Sequence, residues 1–262
     1  SNAGTMTVDA NAKSSTAVAL VSLADLAIDL APNLPSLPLS YSVMVADAIS
    51  QTRASAVGID AGEGDDSVFN RAGATLNVGA TANGGTVDVS ARAGLKFEDK
   101  KKPDPNPSTS SSISAEFGVS LARASIDAGS TAIGIAGGAG RDTLVNDGTL
   151  GATATTGTYG VTVRVDLMGP LDFDQGPNPS LLGSGAAADT SNSAVATATA
   201  LAGGAGDDTL LNHGKASASA TADALNVSAG IGVKLEKNGA LAGVSLVDSD
   251  ATATATAVGL DG

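Results

Sequence analysis

Long stretches of the chain alternate between small apolar residues and polar residues, a pattern typical of β-strands with one packed and one wet face. Residues 158–167 (TYGVTVRVDL) and 193–201 (SAVATATAL) are examples. The prolines fall in three segments between these stretches, which we call tips: Pro32, Pro35, Pro38, Pro103, Pro105, Pro107, Pro170, Pro177 and Pro179. A fourth tip carries Lys237-Asn238-Gly239, a tight-turn signal. The pattern predicts long strands that run out to a tip and return.

One stretch leaves the choice of element open. Residues Ala17 to Leu30 are mostly apolar but include Asp25 and Asp29. They fit either a helix with one polar face or a wide strand, and they are too short to span a bilayer. We expect no membrane insertion of this fragment.

Three segments of the chain repeat one motif: residues 61–70 (AGEGDDSVFN), 137–146 (GGAGRDTLVN) and 203–212 (GGAGDDTLLN). A fourth copy begins at Ala257. A short stretch of small apolar residues precedes the motif in each repeat, and its equivalent aliphatic residues are Ile59, Ile135, Leu201 and Leu260. We therefore predict one repeat domain over residues 4–262, divided near 4–61, 62–137, 138–203 and 204–262, and cut from a longer array. Residues 1–3 are expected to be the remnant of an expression tag.

The repeat and the alternation together predict an all-β fold, a parallel β-solenoid of long alternating strands. The alternative is a stack of antiparallel β-hairpins. A strand of about 20 residues is far longer than usual, and glycines such as Gly79, Gly84 and Gly94 punctuate the stretches. We therefore expect bends at these glycines, and in one variant two or three smaller coils per repeat. Large side chains are scarce, so the core is expected to be thin and built from Ala, Val, Ser and Leu.

The motif Gly-Gly-x-Gly-x-Asp-x-Leu-x resembles the calcium-binding nonapeptide of the RTX (haemolysin-type) family, which builds a parallel β-roll. The resemblance implies that turn carbonyls and Asp carboxylates bind Ca²⁺. The ligands would be Asp66, Asp142 and Asp208, together with the neighbouring Asp65 and Asp207. RTX nonapeptides follow one another in tandem, whereas in this chain long alternating stretches separate the copies. Apart from Ca²⁺, no cofactor is expected.

Stacking of the repeats would place equivalent residues about 4.8 Å apart. The aspartates Asp66, Asp142 and Asp208 would form a column of like charge, which requires a cation, hydrogen bonds or altered protonation. One position earlier, Arg141 would stand between Asp65 and Asp207 and neutralise them without metal. The amides Asn70, Asn146 and Asn212 would form a ladder like those of other stacked sheets. Gly-Asp turns that only join strands are therefore the alternative to a calcium site.

A second resemblance is carried by residues 142–150 (DTLVNDGTL) and 208–214 (DTLLNHG), with their Asn-x-Gly turns. They are similar to the passenger regions of bacterial autotransporter-type adhesins, which are Cys-poor, acidic β-solenoids. The resemblance implies a scaffold, a stalk or an adhesive surface, secreted or on the bacterial cell surface. The expected partner is an unknown surface receptor or another copy of the chain.

Composition narrows the chemistry further. The 262 residues carry a net charge of −13, which disfavours nucleic acid as a partner. There is no Cys, and the only histidine, His213, occupies a variable turn position. A nucleophilic triad, which needs a histidine as its general base, is therefore not expected. We predict a protein that is not an enzyme. Two lesser alternatives are a polysaccharide-active β-helix that uses the paired aspartates and an ice-binding face formed by Thr197, Thr199, Thr252, Thr254 and Thr256.

Overall fold

The computed structural model describes residues 1–23, 39–96, 114–170, 180–234 and 244–262. This part of the chain contains eleven strands and no helix. The long strands are β1 (Thr5–Leu23), β2 (Leu39–Asp60), β4 (Thr75–Lys96), β5 (Ser114–Ala139), β7 (Thr149–Pro170), β8 (Ser180–Ala205), β10 (Lys215–Lys234) and β11 (Val244–Asp261). The short strands are β3 (Ser67–Asn70), β6 (Thr143–Asn146) and β9 (Thr209–Asn212).

Equivalent strands of successive repeats lie side by side in three sheets. Sheet 1 has the order β1-β4-β7-β10, sheet 2 the order β2-β5-β8-β11 and sheet 3 the order β3-β6-β9. Each repeat is one wide, flattened coil: coil 1 is β1–β3, coil 2 is β4–β6, coil 3 is β7–β9, and coil 4 contains β10 and β11. The predicted parallel β-solenoid is confirmed. The hairpin alternative is wrong, because every pairing between the described strands is parallel.

The long strands run without interruption, so the predicted glycine bends and the variant with smaller coils are wrong. Glycines inside the strands have another role, which is to let the two large sheets approach. A Cβ atom on Gly84 would lie 2.7 Å from Cγ2 of Ile126, and one on Gly160 would lie 2.7 Å from Cγ2 of Thr190. Glycine in a strand can mark close approach as well as a bend, and here it marks close approach.

Two further sequence predictions fall partly outside the described residues. Of the ambiguous stretch, residues 17–23 belong to β1 and are strand, while residues 24–30 lie outside. Eight of the nine prolines and the segment 237–239 also lie outside. Pro170 is the last residue of β7 rather than part of a tip. A proline at a strand end removes one donor from the ladder and leaves the other pairs intact.

The apolar core lies between sheets 1 and 2 and extends to sheet 3, in the half of each coil next to the repeated motif, which we call the junction half. Its largest buried side chains are Leu76, Ile135, Leu144, Leu150 and Leu201, which pack among rows of alanine. Small residues on both sheets keep the solenoid thin, as the composition predicts.

Toward the tips the polarity of sheet 1 is inverted. Its interior positions in this tip half hold buried polar side chains: Thr86, Asp88, Ser90, Thr162, Arg164 and Asp166. Outward positions of the same strands hold exposed aliphatic residues such as Val87 and Val89. The strand register continues unchanged through this region, so the inversion is a property of the sequence and not of a register shift.

Candidate functional site at the junction turns

The three motif copies form stacked turns between sheets 2 and 3, which we call junctions: residues 61–66, 137–142 and 203–208. The second and fourth residue of each junction is a glycine with positive φ: Gly62 (93°), Gly64 (114°), Gly138 (99°), Gly140 (138°), Gly204 (101°) and Gly206 (139°). Residues with a side chain rarely adopt this conformation. The Gly-x-Gly spacing of the motif is therefore required by the backbone of the turn.

The motif aspartates form the predicted column, and hydrogen bonds to the backbone hold it. The backbone N–H of Asp66 donates to Oδ1 of Asp142 (2.9 Å), and that of Asp142 donates to Oδ1 of Asp208 (3.0 Å). The carboxylate of one coil thus binds the amide of the coil before it, which offsets the repulsion between like charges. The second oxygens, Oδ2 of Asp66 and Oδ2 of Asp142, are buried and have no hydrogen-bond partner within the described residues.

The first position of the motif is also explained by these carboxylates. A Cβ atom on Gly137 would lie 2.7 Å from Oδ2 of Asp142, and one on Gly203 would lie 2.8 Å from Oδ2 of Asp208. Each aspartate therefore lies against the Cα atom of the first glycine in its own junction. A side chain at that position would displace the carboxylate from the amide that it binds.

The structure places Asp65, Arg141 and Asp207 one above another, and the neutralisation of the two aspartates by the Arg141 side chain stays a prediction. It is the backbone N–H of Arg141 that donates to Oδ1 of Asp65 (2.9 Å). The ion pairs among the described residues, at N···O distances up to 4.0 Å, do not include the Arg141 guanidinium. Its side chain is exposed. In this column too, a backbone amide contacts a carboxylate, that of Asp65.

The asparagine ladder lies in sheet 3, next to the junctions. Asn70 donates from Nδ2 to Oδ1 of Asn146 (2.7 Å), and Asn146 donates in the same way to Asn212 (2.7 Å). Each amide also bonds a backbone carbonyl of the following turn: Asn70 that of Thr149, and Asn146 that of Lys215. Asn2, assigned above to the tag remnant, extends the ladder by donating to Oδ1 of Asn70 (3.0 Å).

The junctions fit Ca²⁺ only in part. Calcium takes six to eight oxygen ligands, whereas no group of three or more acidic or histidine side chains converges in the described part of the chain. Among the described residues of the junctions, the buried side-chain oxygens without a hydrogen-bond partner are Oδ2 of Asp66 and Oδ2 of Asp142, one coil apart. An ion there would need turn carbonyls and water for the rest of its shell.

The remaining candidates for chemistry are exposed or dispersed. His213 stacks on Asp147 with 2.9 Å between Nδ1 and Oδ1, in a pair open to solvent. In the threonine face, Thr197 pairs with Thr256, but Thr254 pairs with Val195 and Thr199 is buried. The described threonines therefore do not form a regular grid.

A buried charged cluster in the tip half of sheet 1 was missed by the sequence analysis. Asp88 and Arg164 are both fully buried, and the Arg164 guanidinium donates to the carbonyl of Ala187 (2.5 Å). Facing positions on sheet 2 hold alanines such as Ala122 and Ala188, which leave room for these side chains. Burial raises the pKa of Asp88, Arg164 nearby lowers it, and Asp47 raises it further, for a net increase. Alternation along β4 could have predicted this cluster: Asp88 is an even number of residues from Leu76, so both side chains point to the interior.

This raised pKa predicts how stability depends on pH. Asp88 binds its proton more tightly in the folded state than in the unfolded chain, so its contribution is fully present below the unfolded pKa of about 3.9. It is lost as pH rises through the folded pKa. We expect Asp88→Asn, which mimics the protonated carboxyl, to lessen the fall in unfolding free energy between pH 4 and pH 7 in urea titrations. Asp60→Asn, which removes a carboxylate from an exposed position, serves as the control, and equal slopes for wild type and Asp88→Asn would contradict the assignment.

Comparisons with protein-family models, with curated proteins and with solved structures gave no match. Among the described residues, no helix is long and apolar enough to cross a membrane.

Proposed function

We propose that this chain is a non-enzymatic structural repeat, secreted or displayed on a bacterial cell surface, where it acts as a scaffold, stalk or adhesin. One observation carries the proposal: the polar residues of the repeated motif bind neighbouring coils. The Asp142 and Asp208 carboxylates bind backbone amides of the preceding coil, and the Asn70 and Asn146 side chains bind the following coil. The motif thus supports stacking, which lets an array transmit load from coil to coil.

Single-molecule force spectroscopy, with the chain held at its two ends, tests the load-bearing role. We expect discrete unfolding steps as coils detach in turn. Because a fully extended residue spans roughly 3.3–3.6 Å, one detached repeat would release on the order of 200–270 Å of chain. Smooth extension at low force, with no step of this size, would contradict a stalk.

The adhesive role is tested separately at the tips. Residues 100–112 lie in a Pro/Ser-rich tip outside the described residues, and their deletion leaves every described strand intact. Beads coated with the intact chain or with the deletion variant would be compared for adhesion to epithelial and bacterial cells. Loss of adhesion in the variant supports an adhesin, and equal adhesion assigns recognition elsewhere.

A calcium-binding junction is a second candidate, favoured by the unpaired buried oxygens of Asp66 and Asp142. Thermal melts in millimolar Ca²⁺ and in chelator test it. An ion that binds only the folded state stabilises that state by about 2.7 kcal/mol at one hundred times its Kd. We expect an upward shift of the melting temperature in Ca²⁺.

The matched variants for this melt are Asp142→Asn and Asp189→Asn. The first keeps an acceptor for the Asp66 amide but removes the charge, so it should abolish the calcium shift. The second removes a charge from the exposed outer face of sheet 2 and should preserve the shift. Identical wild-type melts in Ca²⁺ and chelator would leave the junctions as turns that only join strands.

A further inference from the structure

Sixteen outward positions of sheet 1 form a continuous surface across all four coils, which we call the apolar grid. Its rows follow the strand register: Ser15–Gly85–Tyr159–Leu225, Ala17–Val87–Val161–Val227, Ala19–Val89–Val163–Ala229 and Val21–Ala91–Val165–Ile231. None of the sixteen is charged, and Val21 at one corner is 76% exposed. Contiguous apolar surfaces of this kind mark interaction sites in soluble proteins.

On the opposite outer face of the solenoid, a charged row interrupts the surface at the same depth. There, sheet 2 carries the row Asp47–Arg123–Asp189–Asp248, in which Arg123 lies 3.9 Å from Asp189. The interior beneath the apolar grid is polar as well, with Asp88 and Arg164 buried. Exposed aliphatic residues also occur on sheet 2, as in the row Val45–Leu121–Ala187–Leu246, but there the charged row lies directly beside them, whereas none of the four rows of the apolar grid carries a charge.

The grid is large enough to form the centre of a stable interface. At strand spacings of about 4.8 Å and row spacings of about 6.7 Å, it measures about 19 by 27 Å, or roughly 500 Å² in projection. The polar row Lys13–Asn83–Gly157–Asp223 borders it. With this rim, the surface measures about 640 Å² in projection, compared with the roughly 800 Å² of accessible surface that each partner buries in a standard interface.

We propose that the apolar grid binds the same grid on a second copy of the chain, about a two-fold axis parallel to the strands. The axis reverses the strand order of the second copy, so β1 faces β10 and β4 faces β7. Gly85 then lies opposite Tyr159 of the other copy, and Ser15 opposite Leu225. In this row, where the side chains differ most in size, small residues meet large ones, which is how facing sheets interdigitate.

The charges at the rim fit the same arrangement. Lys13 on β1 and Asp223 on β10 are exposed at opposite ends of one row. The two-fold axis brings each Lys13 over Asp223 of the other copy, which gives two complementary pairs. A lipid surface lacks this complementarity, and a chain of net charge −13 is repelled by anionic lipids. The inference stands independently of the proposed scaffold role.

Sedimentation equilibrium of the purified chain tests the proposal, with Val89→Lys as the disrupting variant and Val195→Lys as its control. Both valines are 40% exposed, but Val195 lies on the outer face of sheet 2. We expect a wild-type dimer and an unchanged dimer for Val195→Lys. For Val89→Lys we expect a dissociation constant at least about 30-fold higher, because a charge would be buried at the centre of the interface.

Val227→Lys, on an edge strand, serves as a second disrupting variant, and circular dichroism confirms that each variant is folded. Lys13→Asp tests the orientation by placing two carboxylates together: it should weaken the dimer, and the double variant Lys13→Asp/Asp223→Lys should restore it. Three outcomes overturn the proposal: a wild-type monomer at millimolar concentration, equal effects of Val89→Lys and Val195→Lys, or a monomer that floats with phosphatidylcholine vesicles. If the double variant Lys13→Asp/Asp223→Lys does not restore the dimer, the two-fold axis is not parallel to the strands.

Discussion

Replacement of Asn146 by alanine is expected to lower the free energy of unfolding by about 3–5 kcal/mol, because the buried amide of Asn70 and acceptors on the following coils lose their partner. Asn146 is fully buried in the middle of the ladder. Its amide accepts from Asn70 and donates to Asn212 and to the carbonyl of Lys215, so it connects all four coils. Urea unfolding followed by circular dichroism measures the loss.

Asn212→Ala is the matched control for this ladder. Asn212 has the same place in its repeat but is exposed, and within the described residues its amide bonds only Asn146. Its loss should cost about 1 kcal/mol, the usual net value of one hydrogen bond. If both alanine variants lose the same stability, burial in the ladder is not what stabilises the stacked coils.

Much of this architecture follows from two sequence patterns. Alternation specifies strands, because only a period of two places all the alanines of residues 193–201 on one face. Repetition then specifies how the strands pair, because stacking in register aligns each asparagine with its equivalent. The ladder of Asn70, Asn146 and Asn212 was predictable for this reason: it needs only the register and no knowledge of side-chain packing.

Strand length was not predictable in the same way. A glycine within an alternating stretch is compatible with a bend and with a close approach of sheets, and the residues on the facing sheet decide between the two. Gly84 lies opposite Ile126, and Gly160 opposite Thr190, and each pair joins two strands that a tip separates in the sequence. The sequence does not reveal these contacts until the register across the two sheets is known.

The junction aspartates show a similar limit. The sequence predicted that these aspartates form a column. What offsets the repulsion between their carboxylates depends on the direction of the backbone N–H groups of the previous coil. A turn with two positive-φ glycines directs the amides of Asp66 and Asp142 toward the next carboxylate. Residue spacing alone does not distinguish this arrangement from a cation between carboxylates, since both need the same aspartates at the same interval.

Replacement of Gly138 by alanine is expected to cost at least about 4 kcal/mol, and it combines two separable effects. The backbone at Gly138 has a φ of 99°, which strains any residue with a side chain. An added Cβ atom would also overlap the carbonyl oxygen of Gly62 on the coil below. That carbonyl accepts a hydrogen bond from Ala139, so it cannot move without breaking the contact between coils.

Gly62→Ala separates the two effects. Gly62 has nearly the same φ, 93°, at the same motif position, but nothing lies within 4 Å of its added Cβ atom. Its alanine variant should therefore lose only the cost of backbone strain, about 1–3 kcal/mol. The difference between the two variants, measured by urea unfolding, reports the tightness of coil stacking at the junction. Equal losses would mean that the turns tolerate a side chain between coils, and the second glycine of the motif would then be required by conformation alone.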